Sequence, residues 1–301
     1  MQRLYEALTR VLPPERLLRD EPMASHTTFR LGGPADVFAL PATPEEALLA
    51  LKTARETGMS CLVLGNGSNM IVRDGGIRGL VLSTEAMAAV AVDGLTVTAQ
   101  AGAPLSKASN AAQAAGLSGL EFASGIPGTV GGAAAMNAGA YGHDMAGVLT
   151  EARVWLDGRD AWFGVAEMEY GYRKSAVLKR GGLVLEARYR LSPDDPERIR
   201  ERMNEHNACR REKQPLTLPS AGSVFKRPEG HFAGALIEEA GLKGFSIGGA
   251  QVSTLHAGFI VNIGGATASD VTSLIAHIQR EVQARFGVAL ECEVRILGED
   301  R

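Results

Sequence analysis

Two short segments of this chain carry residue types that could bind a diphosphate through the backbone. Residues 125–142 read GIPGTVGGAAAMNAGAYG and hold six glycines. Residues 65–69 read GNGSN and follow a short apolar run. Because glycine has no Cβ, the N–H groups of such loops can come very close to a flat, charged ligand. Two such loops can bind one diphosphate from both sides, and we expect that diphosphate to carry a bulky group.

Each segment also has a structural interpretation. Small residues in the 125–142 segment could serve close packing, although Thr129 and Asn137 supply hydrogen-bonding side chains that packing does not need. The 65–69 turn resembles the start of a Rossmann fingerprint, but Met70 stands where the third glycine belongs. A GxxxxGK[ST] phosphate loop is also missing from the sequence. The pattern therefore favours a diphosphate site of another type.

Three further residues could take part in catalysis, but none is diagnostic alone. Ser223 lies in AGSVFKRP, where Ala221 replaces the first glycine of a GxSxG nucleophile elbow. A Ser after Gly is commonly a turn residue. Arg173, in GYRKS, and Glu293, near the C-terminus, would ordinarily be solvated or paired charges.

Composition excludes several classes of function. The formal net charge is −3 and the isoelectric point is about 6.1, which gives no concentrated basic surface for nucleic acid or an anionic membrane. The first residues, MQRLYEALTRVL, form a short amphipathic segment rather than a signal peptide. The three cysteines form no CxxC pair and the histidines no HExxH pair, so we expect neither disulfides nor a bound metal. These features predict a cytoplasmic protein.

The elements that must position these residues alternate between helix and strand. Thr43, Pro44 and Glu46 form a helix start, and the helix continues to Gly58. Later patterns predict a hairpin at 90–101, helices at 104–115 and 269–286, a charged helix ending at Pro215, and an alternating strand at 290–296. We place the domain boundary near residue 195, with an α+β domain at 1–195 and a smaller α/β domain at 196–301. A division of the first domain near residue 80 is a further option.

Seven segments in order resemble the UDP-N-acetylenolpyruvoylglucosamine reductase family. They are TTFRLGGPAD, LGNGSN, GIPGTVGGAAAMNAGAYG, GYRKSA, QPLTLPSAGSVFKRP, GGAQVS with HAGFIVN, and ECEVRILG. They span nearly the whole chain. The chain is similar to the shorter of the family's two types, which lacks an inserted substrate-clamping region.

The resemblance implies an α+β fold, with an FAD-binding domain of the vanillyl-alcohol-oxidase type followed by a substrate-binding domain. Non-covalent FAD would be reduced by NADPH and would then reduce the enolpyruvyl sugar nucleotide at the same site. The residues implied to bind FAD are Gly65, Asn66, Gly67, Ser68, Asn69, Gly125, Pro127, Gly128, Thr129, Gly131, Gly132, Asn137 and Ala138.

The resemblance also assigns roles in catalysis. Arg173 would pair with the substrate carboxylate, Glu293 in its protonated form would donate a second hydrogen bond there, and Ser223 would give a proton to the carbanion. On the predicted strand, Arg295 would face the same way as Glu293 and bind the anionic substrate. Lys226 and Gln251 are implied contacts for the diphosphate or the sugar.

The sequence departs from the family pattern at two places, and two alternative functions remain open. Arg227 stands where the family often has Asn, and the segment Ser253, Thr254, Leu255 carries no charge. One alternative is a flavin oxidase of the same fold, with His143 as the nearest candidate for a covalent flavin link. The other is a flavin- or UDP-sugar-binding module without turnover. We expect small-molecule substrates only and a monomer.

Overall fold

The structure is a computed structural model that describes residues 2–300, in which helices and strands alternate. Eight α-helices form in this part of the chain: α1 Gln2–Leu8, α2 Pro44–Glu56, α3 Leu105–Ala114, α4 Val130–Met136, α5 Ala176–Arg180, α6 Pro196–Lys213, α7 Ala233–Glu239 and α8 Ala268–Phe286. Within residues 2–300 no helix is both long and apolar enough to span a membrane.

Nineteen strands form in the same residues, many of them short. They are β1 Leu17–Pro22, β2 Pro34–Ala39, β3 Cys61–Leu64, β4 Met70–Val72, β5 Ile77–Ser83, β6 Val90–Asp93, β7 Thr96–Gln100, β8 Leu117–Ser118, β9 Gly139–Ala140, β10 His143–Asp144, β11 Leu149–Leu156, β12 Arg159–Gly164, β13 Leu183–Arg190, β14 Ser192–Pro193, β15 Ser220–Ser223, β16 Ser246–Ile247, β17 Ala250–Val252, β18 Phe259–Asn262 and β19 Arg295–Leu297.

Local signals determine the clearest helices. The Thr43 hydroxyl accepts the N–H of Glu46 and Pro44 occupies the first turn, as predicted for α2. Helix α8 begins with a capping box between Thr267 and Asp270 and ends at Gly287 in the left-handed conformation. Both predicted helices are confirmed.

The described chain forms two compact units built from separate stretches. The first unit consists of residues up to Leu18, Val37–Asn66 and Gly79–Arg210. The second unit consists of Arg19–Asp36, Gly67–Arg78 and residues from Arg211 onward.

The first unit has two hydrophobic cores. A five-stranded antiparallel sheet in the order β12–β11–β13–β7–β6 packs with α3 and α4 around one core, which includes Val97, Val154 and Tyr189. A second core joins α1 and α2 to β3 and β5, which pair in parallel with Cys61 opposite Leu80. Strand β3 also belongs to a four-stranded sheet in the order β1–β2–β5–β3.

The second unit is built on an antiparallel sheet in the order β15–β18–β17–β16. Helices α7 and α8 contribute Ile237 and Ile275 to its core. Near the C-terminus, β19 pairs in parallel with β4, so that Arg295 lies opposite Met70. The predicted continuous strand at 290–296 forms only from Arg295 onward, because the residues before it bond to the segment that follows β15.

The two units do not follow a single boundary near residue 195. Helix α6 stays with the first unit up to Arg210, because Ile199 and Met203 are buried there and Arg202 pairs with Glu121. Phe29 and Ile71, from two early stretches, belong to the core of the second unit. The chain therefore reaches the second unit three times rather than once.

Candidate functional site

Gly65 and Asn66, in the 65–69 turn, lie directly against the 125–142 segment within the first unit. A Cβ on Gly65 would stand 2.5 Å from Thr129 Oγ1, so that position needs glycine. The side-chain amide of Asn66 donates to the Pro127 carbonyl at 3.0 Å. The two glycine-containing segments predicted to act together are therefore neighbours.

The backbone of the 65–69 turn supplies unused hydrogen-bond donors. Within residues 2–300, the N–H groups of Gly65, Asn66, Gly67 and Ser68 donate no hydrogen bond. Gly67 is buried and has φ of +60°. Successive free N–H groups in a tight turn form a concave site suited to an anion. This donor set fits the diphosphate of FAD.

Much of the 125–142 segment is helix rather than loop. Thr129 caps α4 by accepting the N–H of Gly132 at 3.3 Å. The N–H groups of Gly128, Val130 and Gly131 bond to carbonyls of the protein. The expectation that this whole segment offers free backbone donors is therefore wrong for these residues, because the carbonyls of Ile126, Ala103 and Ala101 accept their N–H groups. Exposed Gly132, with no Cβ, still leaves an open surface.

Asn137 has a structural role at the end of α4. It is buried and adopts the left-handed conformation, with φ of 44°. Its side-chain amide donates to Asp144 Oδ2 at 3.1 Å and to the Gly171 carbonyl at 3.2 Å, and its Oδ1 accepts the N–H of Ala146. Ala138 follows it and is partly buried. The Asn137 side chain thus stabilises the end of the 125–142 segment through hydrogen bonds within the protein.

Arg173 lies at the C-terminal end of α4. Its guanidinium donates to the carbonyls of Asn137 at 3.3 Å and Gly139 at 3.4 Å. Its backbone is in the left-handed region, with φ of 55°, which is uncommon for a residue other than glycine. Ser175 fixes the same turn by donating to the Ala135 carbonyl at 2.5 Å. The predicted carboxylate-binding Arg is therefore held beside the predicted cofactor segment.

In the second unit, Ser223 ends β15, where it lies opposite Phe259 of β18. Gly222 before it has φ of +77°, and the strand pairing is irregular between Ser220 and Ser223. Within residues 2–300 the Ser223 hydroxyl makes no hydrogen bond. Ser223 is partly buried. An unused hydroxyl at an irregular strand end can act on a ligand.

Glu293 and Ser223 lie on adjacent segments of the second unit. The Glu293 N–H donates to the Val224 carbonyl at 2.8 Å, and Phe225 forms an antiparallel bridge with Cys292. Asn69 joins this arrangement, because its amide donates to the Glu293 carbonyl at 3.3 Å. The backbone carbonyl of Asn69 accepts the Arg295 N–H at 3.1 Å. The structure thus brings four predicted site residues together: Asn69, Ser223, Glu293 and Arg295.

The two other predicted substrate contacts have partners within the protein. The Lys226 ammonium pairs with Glu291 at 2.9 Å. The Gln251 amide donates to the Gly244 carbonyl at 3.2 Å and to Ser246 Oγ at 3.0 Å, which ties β17 to the turn before β16. Arg227, the departure from the family pattern, stacks over Phe232 at 4.0 Å. Each contact is local and gives these side chains a structural role.

Sequence reasoning missed His256. A Cβ built on Gly258 would stand 3.0 Å from His256 Cε1 and 3.4 Å from Ser223 Oγ, so both side chains lie against this glycine. His256 Nδ1 accepts the Gly258 N–H at 3.1 Å, and the ring packs edge-on against Phe259. Burial, more than nearby Lys243, lowers the pKa of His256. In the sequence, the one signal for His256 was its position in HAGFIVN, a segment that resembles the family.

Cys61 and Cys292 show no reactive character. Burial raises the pKa of the Cys61 thiol to about 12 and also raises the pKa of Cys292. Within residues 2–300 no cluster of three or more His, Cys, Asp or Glu side chains could hold a metal ion.

Protein-family models match both parts of the chain. Residues 35–159 match a model described as FAD binding domain. Residues 214–297 match a model described as UDP-N-acetylenolpyruvoylglucosamine reductase, C-terminal domain. The predictions of FAD as cofactor and of an α+β fold with an FAD-binding domain are confirmed.

Individual proteins are similar over nearly their whole length. The chain is 50% identical over 298 residues to UDP-N-acetylenolpyruvoylglucosamine reductase of Alkaliphilus oremlandii, covering 98% of each chain. It is 52% identical over 289 residues to that of Levilactobacillus brevis, covering 96% of this chain and 95% of the other.

Solved structures give the same result. UDP-N-acetylenolpyruvylglucosamine reductase from Thermus caldophilus matches with a TM-score of 0.79 at 37% identity, covering 93% of this chain and 97% of the other. An alkyldihydroxyacetonephosphate synthase matches with a TM-score of 0.52 at 17% identity, covering 64% of this chain and 40% of the other. The second likeness is one of fold alone.

Proposed function

Because the chain belongs to the UDP-N-acetylenolpyruvoylglucosamine reductase family, we propose how its own residues carry out that reaction with NADPH as the reductant. The protein is an FAD-containing oxidoreductase of peptidoglycan precursor synthesis. It reduces the enolpyruvyl group of UDP-N-acetylglucosamine enolpyruvate and forms UDP-N-acetylmuramate.

The free backbone donors of the 65–69 turn bind the FAD diphosphate in this proposal. Within residues 2–300 these four consecutive N–H groups have no protein acceptor, which supports this assignment. The open surface at Gly132, beside Gly128 and Pro127, provides contact area without side chains. When bound, FAD supplies the hydride that goes to the methylene carbon of the substrate.

Arg173 binds the substrate carboxylate. Hydride addition places negative charge on the carbon next to that carboxylate, and a guanidinium can pair with the developing enolate oxygen. Two carbonyl contacts, at 3.3 and 3.4 Å, orient the Arg173 guanidinium.

Ser223 gives the proton that completes the reduction. Its Oγ–H bond breaks as a C–H bond forms at the carbon next to the carboxylate, so hydride and proton together saturate the double bond. A hydroxyl is a weak acid, and the step therefore requires a strongly basic acceptor at short distance. The absence of any hydrogen bond to Ser223 Oγ within residues 2–300 leaves this proton available.

Glu293, in its protonated form, donates a hydrogen bond to the same developing charge. Its backbone is bonded to the residue after Ser223, which supports a shared task for the two side chains. Arg295 contributes positive charge for the anionic substrate. Lys226 and Gln251 are proposed contacts for the diphosphate or the sugar. Each has to exchange a protein partner for the ligand, because the Lys226 ammonium is paired with Glu291 and the Gln251 amide donates to the Gly244 carbonyl. A cytoplasmic location and a monomeric state also remain predictions.

The observation that carries the proposed roles is the Glu293-to-Val224 hydrogen bond beside Ser223. Anaerobic spectroscopy tests the function. The purified protein should be yellow, lose flavin absorbance with NADPH, and regain it when UDP-N-acetylglucosamine enolpyruvate is added. Recovery with oxygen but not with the sugar nucleotide would instead indicate an oxidase. Failure to bleach with NADPH would reject NADPH as reductant.

A further inference from the structure

Arg210, near the end of α6, is a charged residue that lacks a hydrogen-bond partner for one of its buried N–H groups in residues 2–300. Its side chain is partly buried, and its Nε is fully buried without a hydrogen-bond partner in residues 2–300. No carboxylate in that range pairs with its guanidinium. By contrast, Arg202 on the same helix pairs with Glu121 at 2.7 Å and Asp194 at 2.6 Å.

The last turns of α6 hold both ends of the 125–142 segment. A Cβ on Gly125 would stand 3.0 Å from Arg210 Cδ and would collide with Asn207 Oδ1. The Asn207 amide donates to Ser124 Oγ at 3.3 Å. At the other end, Tyr141 stacks on His206 with ring centroids 4.2 Å apart and donates to its carbonyl at 2.8 Å. Arg210 thus lies where the segment begins.

A buried cation without an anionic partner is costly. Removing a guanidinium N–H from water without an acceptor loses the hydrogen bond and much of the solvation of the charge. Burial lowers the pKa of Arg210, and the Tyr141 phenol acts on it in the opposite direction. The first unit supplies no carboxylate for this charge among residues 2–300. An anionic ligand that binds against Gly125 would supply the missing partner.

We propose that Arg210 binds the diphosphate of FAD through charge-assisted hydrogen bonds. Arginine suits this task, because its planar fork of donors matches phosphate geometry. The free N–H groups of Gly65 and Asn66, in the same unit, donate to the same diphosphate. Gly125 is required because any side chain there would displace Asn207 and Arg210.

Ligand binding to the apo-protein tests this inference without NADPH or the sugar nucleotide. The variants are Arg210→Met and Arg210→Lys. The matched control is Arg200→Met, at an exposed Arg on α6 that pairs with Glu197 at 3.4 Å. Titrations with FAD and with riboflavin, which lacks phosphate, give the two dissociation constants.

Arg210→Met should raise the dissociation constant of FAD about 10- to 100-fold, which corresponds to the loss of a hydrogen bond to a charged group. The dissociation constant of riboflavin should stay within about twofold of that of the parent protein. The FAD affinity of Arg210→Lys should lie between those of the parent protein and of Arg210→Met, because Lys keeps the positive charge but lacks the planar set of N–H donors. Unchanged FAD affinity in Arg210→Met, or an equal loss for riboflavin, would overturn the proposal. If Arg210→Met does not fold, as judged by circular dichroism, Arg210→Lys decides alone: FAD must weaken selectively.

Discussion

The backbone N–H of Glu293 donates a 2.8 Å hydrogen bond to the carbonyl of Val224, the residue after Ser223. Main-chain atoms alone make this bond. Substitution of either side chain therefore removes a chemical group without removing the contact that aligns the two segments. This separation makes side-chain variants at Ser223 and Glu293 informative about chemistry.

The proposed role of Glu293 distinguishes two substitutions at that position. Glu293→Gln keeps a neutral hydrogen-bond donor, and we expect reoxidation of the reduced flavin by the sugar nucleotide to slow less than about tenfold. Glu293→Ala removes the donor and should slow the same step about 10²- to 10³-fold. Stopped-flow absorbance measures both rates.

The control for these variants is Glu239→Gln, an exposed position on α7. It should leave the rate of flavin reoxidation unchanged. Equal losses for Glu293→Gln and Glu293→Ala would show that the carboxylate charge, rather than a donated hydrogen bond, is what the reaction needs.

A methyl group at position 258 should displace the Ser223 side chain. In Gly258→Ala the new Cβ meets His256 at 3.0 Å and Ser223 Oγ at 3.4 Å, which is too close for the ring to stay in place. We expect the free energy of unfolding to fall by about 1–3 kcal/mol. Reoxidation by the sugar nucleotide should slow at least tenfold, by analogy with other small displacements of reacting groups.

Reduction of the flavin by NADPH should stay near normal in Gly258→Ala, because that half-reaction does not use Ser223. Gly164→Ala is the control, since a Cβ there has open space around it. If Gly258→Ala slowed both half-reactions equally, the glycine would matter for the fold in general and not for the position of Ser223.

His256 should make folding stability fall in mild acid. Burial, the largest cause, lowers its pKa below the ordinary 6.5, with Lys243 lowering it further and Glu238 opposing. Below about pH 6.5 the unfolded chain therefore binds a proton that the folded protein does not bind, and stability decreases as the pH falls toward the folded pKa. Thermal melting between pH 8 and pH 5.5 measures the loss.

His256→Asn is the comparison for this pH dependence, because Asn keeps an acceptor for the Gly258 N–H. The variant should lose less stability than the parent protein over the same pH range. Identical losses would mean that other groups, and not His256, carry the acid sensitivity.

Glu121 anchors α6 to the residues before the 125–142 segment. Its carboxylate accepts from Arg202 at 2.7 Å, Ser118 at 2.8 Å and the Gly119 N–H at 2.6 Å. Burial alone would raise the pKa of Glu121, but these bonds hold it below its ordinary value. Since Arg202 is partly exposed, we expect Glu121→Gln to lower the free energy of unfolding by about 1–3 kcal/mol in urea denaturation.

The exposed pair of Glu197 and Arg200 on the same helix provides the control. Glu197→Gln should change the free energy of unfolding by less than about 0.5 kcal/mol. Similar effects of Glu121→Gln and Glu197→Gln would contradict the anchoring role.

Local signals made part of the fold predictable. Thr43 and Pro44 determine where α2 begins, and Gly287 determines where α8 ends, so both could be predicted from neighbouring residues alone. Helix α4 was missed because Gly131 and Gly132 have poor helix propensity. Close packing, which places Gly131 against Ala101, overrides that propensity.

The parts that could not be predicted depend on contacts between distant residues. The segment before β19 pairs with Phe225 instead of extending the strand, and no local pattern reveals this pairing. His256 and Ser223 meet only through the β15–β18 pairing. The family resemblance supplied the candidates Ser223, Arg173 and Glu293. The buried Nε of Arg210, which has no hydrogen-bond partner in residues 2–300, became visible only in the structure.

Ser223→Ala tests the central claim most directly, because the hydroxyl should serve only the sugar-nucleotide half-reaction. Anaerobic stopped-flow absorbance should show flavin reduction by NADPH at a nearly normal rate. Reoxidation by UDP-N-acetylglucosamine enolpyruvate should be slower by about 10²- to 10⁴-fold, the usual contribution of a proton donor. Equal slowing of both half-reactions, or normal reoxidation, would contradict the assignment of Ser223 as proton donor.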